Sequence, residues 1–342
     1  MQKLNVLYQS NDTFAPYLGT SLQSLLANNT ALEELNVYLV NIDISQENIE
    51  KLKKQCESFN RKLILIDAAK IRRKIKESGM PEYQGFRKNN MSLMKIFAID
   101  DIPEETVLYI DCDTIIAGSL AGLCAVNMQG RPIGMVADSI ISNEYKLDIG
   151  MKESAYYYNS GIILFDAEQW KAQHCIEKIV AFAQQGRVFG TVDQDYLNVV
   201  LEDNVYTLPL QYNVQCIHFL CSAKGYANCF KNVAPYYGFD EIQEACKHPT
   251  IAHYEKFASM SPWHKNSVNP CTKMFDSYLK QSPWSNYEKQ ECKAKRVPVP
   301  GGKNSLPLPA ARCFCACIQN RIGPHAAELQ QTGGKTGQGI IK

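Results

Sequence analysis

Two aspartates separated by a single residue, Asp111 and Asp113, are the pair in this sequence best suited to chemistry. They follow the apolar run Val107-Leu108-Tyr109-Ile110 and precede Ile115-Ile116. A run rich in Val and Ile reads as a buried strand of an α/β sheet. The carboxyl end of such a strand is where open α/β sheets bind ligands. Carboxylates at i and i+2 on a strand point the same way, so both reach one cation. Such donors suit a hard divalent ion, Mg²⁺ or Mn²⁺, that also grips the phosphates of a nucleotide. An isolated pair reads more readily as a turn, because Asp tolerates turn geometry. The rest of the chain has to decide.

The elements around the pair are legible from periodicity. Leu4 to Gln9 reads as a first strand, and Ser10 to Thr13 as a turn. Pro16 near a first helical turn, with Leu18, Leu22, Leu25 and Leu26, predicts a helix. Strands follow over 36–40 and 63–66, with a helix between them and a charged helix ending before Gly79. Residues 91–99 form a helix just before the central strand. This alternation predicts an α/β fold with a mostly parallel central sheet and right-handed crossovers. Further on, 133–137 is a strand ending at Asp138, and 139–154 reads as a mobile loop. The passage from Tyr156 to Asp166 goes from loop to strand, with Asn159-Ser160-Gly161 as a turn. One helix is expected over 167–185, another from Thr191 to Val200, and a last buried strand over 249–253 that ends in His253.

Composition sets the class. The 342 residues are 45% hydrophobic and 21% charged, as in soluble globular proteins. A net charge of +1 implies no polyanionic partner, so no nucleic acid. The N-terminus reads as neither a signal peptide nor a membrane span. Without an export signal, the 13 cysteines read as reduced thiols acting mostly as small core residues. Cys313, Cys315 and Cys317 alternate, a poor spacing for zinc. From residue 283 prolines and glycines interrupt any period, and Lys and Arg outnumber Asp and Glu nine to three. The division expected is a folded domain over 1–282 and an irregular basic tail over 283–342.

Further stretches complete the pattern: Tyr8-Gln9-Ser10-Asn11-Asp12, Ser92-Leu93-Met94-Lys95, Tyr158-Asn159-Ser160-Gly161, Thr191-Val192-Asp193-Gln194-Asp195, and His253-Tyr254 followed by Ser261-Pro262-Trp263. Each has an ordinary reading. Thr191-x-x-Gln194 is a helix capping box, a lone Lys on a helix is usually solvated, and a His closing a strand is usually structural. In this order, with Asp111-Cys112-Asp113, they resemble glycosyltransferase family 8 over roughly residues 3 to 265.

The resemblance implies a GT-A fold, a single Rossmann-like nucleotide-diphospho-sugar transferase domain. It also implies a UDP-sugar donor, Mn²⁺ with Mg²⁺ as a substitute, and retention of anomeric configuration. It assigns Asp111, Asp113 and His253 to the metal. Donor binding falls to Gln9, Ser10, Asp12, Lys95, Asp111, Cys112, Asp113, Asn159, Ser160, Asp193, Gln194, Lys256 and Ser261. Asp138, Asp193 and Gln194 are the catalytic candidates. Gln9 and Ser10 depart from the family's small residues and aspartates. The His253–Trp263 interval is longer than the family pattern, Lys256 replaces a glycine, and Ser261 replaces a lysine. Lys256 or Lys265 is then left to supply the phosphate-binding charge. The expected reaction moves glucose or galactose from UDP-glucose or UDP-galactose to a glycan or lipid-linked saccharide acceptor, such as a bacterial surface polysaccharide or lipopolysaccharide. The expected location is the cytoplasm, with peripheral association at the inner face of a membrane open to the basic tail. A self-glucosylating glycogenin-like protein, a nucleotidyltransferase, and a UDP- and Mn²⁺-binding protein without turnover remain alternatives.

Overall fold

The computed structural model describes residues 2–82, 90–138, 141–187, 189, 191–220, 236–255, 261–265, 267 and 269–291. In chain order the strands are β1 (Lys3–Asn11), β2 (Glu34–Ile42), β3 (Lys62–Asp67), β4 (Thr106–Ile110), β5 (Thr114–Ile116), β6 (Ile133–Ala137), β7 (Tyr158–Asp166), β8 (Val205–Thr207), β9 (Val214–Gln215) and β10 (Ile251–His253). A seven-stranded sheet runs β3-β2-β1-β4-β7-β6-β8, and a three-stranded sheet runs β5-β10-β9. Strands β3, β2, β1 and β4 are mutually parallel, while β7 is antiparallel to both β4 and β6. The first half is therefore parallel, as the alternation of elements predicts.

The first helices form where their caps and apolar faces dictate. Helix α1 (Ala15–Asn28) has a proline in its first turn and buries Leu18, Leu22, Leu25 and Leu26. Helix α2 (Gln46–Glu57) is capped by Ser45, and α3 (Ala68–Glu77) by Asp67, whose carboxylate accepts from the Ala69 N–H at 2.8 Å. Helix α4 (Met94–Ala98) is buried along its whole length. Helix α5 (Asn143–Asp148) occupies the stretch expected as a mobile loop, started by Ser142, whose hydroxyl accepts from the Tyr145 N–H.

The single helix expected over 167–185 is two, α6 (Ala167–Ala172) and α7 (Cys175–Ala183). They are divided by His174, which adopts a left-handed conformation at φ 53°. Helices α8 (Val192–Val200), α9 (Cys216–Leu220), α10 (Phe239–Lys247) and α11 (Thr272–Leu279) complete the chain order.

Packing continues past residue 282. Trp284 is buried against α1, where a β-carbon on Gly19 would lie 2.1 Å from its ring. Glycine is needed there because any side chain would displace the indole. The rest of the expected tail, 292–342, lies outside the described residues, as do Cys313, Cys315 and Cys317. The seven described cysteines are unpaired, five of them buried. No described helix is long and apolar enough to cross a membrane.

Candidate metal and donor site

The Asp-x-Asp pair marks a change of sheet. The chain leaves the large sheet at Ile110, turns through Asp111-Cys112-Asp113, and enters the small sheet at Thr114. The carboxylates thus stand in a bend between two strands, and not along one continuous strand from 107 to 116. The bend is pinned on both sides. The Asp111 N–H donates to the Gly161 carbonyl, and the Tyr254 N–H donates to the Asp113 carbonyl, each at 2.8 Å. β10 pairs antiparallel with β5 and brings His253 opposite Thr114. Two sheets therefore bring His253 to the same corner as Asp113, 140 positions earlier in the sequence, and Asp111.

In that corner one ligand atom each of Asp111, Asp113 and His253 lies within 4.8 Å of the others. The His253 Nε2 is 3.3 Å from Asp113 and 3.9 Å from Asp111. The His253 Nδ1 faces the Asn213 Oδ1 at 3.0 Å. A donating Nδ1–H turns Nε2 toward the carboxylates, where a cation that displaces its proton would find the lone pair, the arrangement that metal-binding histidines use. Tyr109 donates to Asp111 at 2.5 Å. Burial raises the Asp111 carboxyl, against the attraction of Lys95. Burial works against the charge of His253, yet Asp113 and neighbouring carboxylates lift its imidazole to about 9. Glu255 is pushed up to about 8 by burial, and its Oε1 has no hydrogen-bond partner. Two half-buried carboxylates and one oriented imidazole, with the Glu255 carboxyl nearby, fit a divalent cation.

The Asn159-Ser160-Gly161 stretch is strand, not turn. It lies in β7, where the register against β6 shifts between Met135 and Val136. Gly161 has a further purpose: a β-carbon there would sit 2.3 Å from the His253 ring. The missing side chain makes room for the imidazole.

A chain of amides leads from this corner to the second group of residues. Asn213 donates to the Asn159 Oδ1 at 2.9 Å, which also accepts the Gly161 N–H at 3.0 Å. Asn159 and Gln194 both donate to the Asp138 Oδ2, each at 3.2 Å. The Gln194 Oε1 accepts the Ser160 N–H at 2.9 Å, and its amide also donates to the Tyr157 hydroxyl at 3.2 Å. The carboxamide of Gln194 is held at both ends.

Lys95 is buried, not solvated. Its ammonium pairs with Asp193 at 2.7 Å, donates to the Ser160 carbonyl at 2.7 Å, and lies 4.5 Å from the centre of the Tyr109 ring. Ser160 donates to the same Asp193 carboxylate at 2.8 Å. Burial opposes the charge of Asp193, but Lys95 and these donors hold its carboxyl below the ordinary value.

The capping box expected at α8 does not form. Thr191 makes no side-chain cap bond, and the Asp195 carboxylate accepts the Thr191 N–H at 2.8 Å instead. Asp195 also accepts from Tyr157 at 2.5 Å and Tyr145 at 2.8 Å. That leaves Gln194 to reach toward β7.

At the end of β1, Gln9 is half-buried with its Oε1 unpartnered, and its carbonyl accepts from the Cys112 thiol at 3.1 Å. Ser10 is buried and bonds to the Asn11 carbonyl. Asp12 is exposed, and its Oδ1 accepts from the Ser45 N–H at 2.8 Å and the Asn48 amide at 2.9 Å. It thereby fixes the start of α2. Ser261 is buried, whereas Lys256 lies outside the described residues. Sequence reasoning missed Tyr109, Tyr157, Asn213 and Glu255. Their signal was weak, because each is a common residue type within a strand or a mixed stretch.

The fold is an α/β domain of two sheets with a candidate metal site where they meet. The model of glycosyl transferase family 8 matches residues 5–267, and the chain belongs to that family. It is 23% identical to general stress protein A of Bacillus subtilis, over 82% of this chain and 95% of that protein. It is 27% identical to glycosyltransferase GlyF of Streptococcus pneumoniae, over 83% of this chain and 63% of that longer protein. It is 22% identical to lipopolysaccharide 1,2-glucosyltransferase of Escherichia coli, over 85% of this chain and 82% of that one. Among solved structures, galactosyltransferase LgtC in complex with donor and acceptor sugar analogues aligns with a TM-score of 0.66 at 19% identity. That alignment covers 82% of this chain and 96% of the other. At this identity the likeness shows the fold, a GT-A-like α/β domain.

Proposed function

We propose that this chain transfers a hexose, glucose or galactose, from a UDP-sugar to a hydroxyl of a glycan or lipid-linked saccharide, with retention of configuration. The observation that carries this reading is the continuous link from the Asp111–Asp113–His253 corner, through Asn213 and Asn159, to Asp138 and Gln194. It joins a place for a cation and diphosphate to a cluster of sugar-binding groups.

Asp111, Asp113 and His253 would hold Mn²⁺, or Mg²⁺ in its place. Bound there, the ion would neutralise the diphosphate and act as a Lewis acid for the departing UDP. The protein's own groups orient the sugar. Asp138 and Asp193 offer carboxylate oxygens to its hydroxyls, and Lys95 keeps Asp193 charged. The N–H of Ser160 holds the oxygen of Gln194, so the carboxamide is preorganised beside the reacting carbon.

Retention by double displacement would need a carboxylate nucleophile near the sugar. Gln194, the group placed beside the reacting carbon, is an amide and a poor nucleophile, while the Asp193 carboxylate is engaged by Lys95 and Ser160 and that of Asp138 by Asn159 and Gln194. The nearby Asp195 is fully buried and engaged by Tyr157, Tyr145 and the Thr191 N–H. This favours substitution on the leaving-group face, through an oxocarbenium-like state. The acceptor's oxygen bonds to the anomeric carbon as the bond to the UDP oxygen breaks, and the leaving phosphate oxygen takes the acceptor's proton.

The similarity to lipopolysaccharide 1,2-glucosyltransferase supports a bacterial surface glycan as acceptor. The reading keeps the protein in the cytoplasm, with the basic C-terminal segment as its means of reaching the membrane's inner face. It takes residues 1–291 as the catalytic domain, since Trp284 packs on α1. One observation favours a second reading, a UDP-binding protein without turnover: Ser261 stands where the family has a lysine. Nuclear magnetic resonance of the product formed from UDP-glucose or UDP-galactose tests the proposal. An α-linked product supports it. An inverted product, or release of pyrophosphate, refutes it.

A further inference from the structure

The described C-terminal segment, 282–291, lies beyond the residues matched by the family and has no part in the reaction above. Its contacts are specific. Downstream of His253, Trp263 stacks on Tyr17 of α1, with ring centres 4.3 Å apart and planes inclined by 23°. Phe14, at the end of the β1 loop, meets Tyr17 edge-on at 5.4 Å. The stack therefore ties the two borders of the candidate donor site, the β1 loop and the stretch after His253.

Three bonds from the C-terminal segment fasten this stack. The Tyr287 and Tyr17 hydroxyls are 3.0 Å apart. The Lys289 ammonium donates to the Pro262 carbonyl at 2.7 Å and pairs with Asp276 of α11. The Lys265 N–H donates to the Gln290 carbonyl at 3.0 Å. Hydrophobic burial alone does not call for an ammonium placed on a loop carbonyl. A charge-assisted bond is directional and fixes position. Residues 261–263 are in neither helix nor strand, so anchors of this kind set where they lie.

We propose that Tyr287, Lys289 and Gln290 are positioning residues: they form a clasp that holds Pro262 and Trp263 against Tyr17 and so sets the affinity of the site for a nucleoside diphosphate. The clasp rests on the reading that the donor's diphosphate lies beside the stretch after His253. It adds that this border is held in place by a segment outside the family match.

Calorimetric titration of the full chain with UDP in the presence of Mn²⁺ tests the clasp, with wild type, Lys289→Met, Lys289→Arg and Tyr287→Phe compared. Lys289→Met is expected to weaken UDP binding about tenfold, the scale of a lost charged hydrogen bond, and Tyr287→Phe about threefold. Lys289→Arg restores binding, because a guanidinium serves the same carbonyl and carboxylate. Turnover at saturating donor stays at the wild-type rate, a separation that general destabilisation would not produce. Unchanged UDP affinity in both Lys289→Met and Tyr287→Phe overturns the clasp, and Tyr287→Phe decides alone if Lys289→Met does not fold. A wild type that binds no UDP at all removes the donor reading itself, and the clasp with it.

Discussion

The imidazole of His253 and the carboxamide of Asn213 are joined by a 3.0 Å hydrogen bond between Nδ1 and Oδ1. Forty residues separate them, and the parallel pairing of β10 with β9 brings them together. The bond sets the ring's orientation and selects the nitrogen that faces Asp113. Asn213 in turn holds Asn159, so one amide joins the Asp111–Asp113–His253 corner to the Asp138–Gln194 cluster.

Replacing Asn213 with Ala frees the imidazole to rotate. Loss of such an outer partner typically costs metal sites about 10–100-fold in affinity. Titration of Mn²⁺ followed by electron paramagnetic resonance is expected to show a loss in that range. Wild-type affinity in Asn213→Ala would mean that the bond does not orient a ligand.

Gly161→Ala tests the space reserved for His253. The new β-carbon would meet the ring at 2.3 Å, so the imidazole must move. The expected result is a loss of Mn²⁺ affinity of at least about tenfold. Gly118→Ala is the control, because its nearest neighbour would be 3.4 Å away. Equal behaviour of the two variants would count against the packing argument.

Lys95 and Asp193 are a buried pair, and removing one partner strands the other. Lys95→Met should cost about 3–5 kcal/mol in urea unfolding, the scale for an uncompensated buried charge. Adding Asp193→Asn should recover part of that loss. Strict additivity of the two substitutions would show that the groups are not energetically coupled.

Asp195 makes stability depend on pH. Burial raises its carboxyl from 3.8 to about 6, despite the bonds from Tyr157, Thr191 and Tyr145 that favour its charged form. Between those values the folded protein keeps a proton that the unfolded chain has released. The contribution is therefore full below pH 3.8 and is lost as pH rises through 6. The loss amounts to about 3 kcal/mol. Comparing urea unfolding at a series of pH values with Asp195→Asn isolates it, since the variant should lack this part of the slope. Identical slopes would exclude Asp195 as the source.

Much of this site is readable from sequence because strands announce themselves. The apolar run before Asp111 and the short one before His253 place both at strand ends, where side chains converge. The partners of these residues are less visible. Asn213 lies in a mixed stretch, and nothing local marks it as the neighbour of a histidine forty positions on. The capping box at Thr191 failed for a tertiary reason: the Ser160 N–H and Asp138 compete for the Gln194 amide, and Asp195 takes over the cap. The break at His174 was hidden because the left-handed residue is not glycine. Trp284 was hidden by the prolines and charges around it, since its pocket is a missing side chain on Gly19.

The central claim is that the Asp111–Asp113–His253 corner supports metal-dependent transfer from a UDP-sugar. The most direct test is UDP release from a panel of UDP-sugars with Mn²⁺, with and without EDTA, for wild type and Asp113→Ala. The account predicts slow release from UDP-glucose or UDP-galactose that EDTA abolishes and Asp113→Ala lacks. Release that persists in EDTA, or in Asp113→Ala, would contradict it.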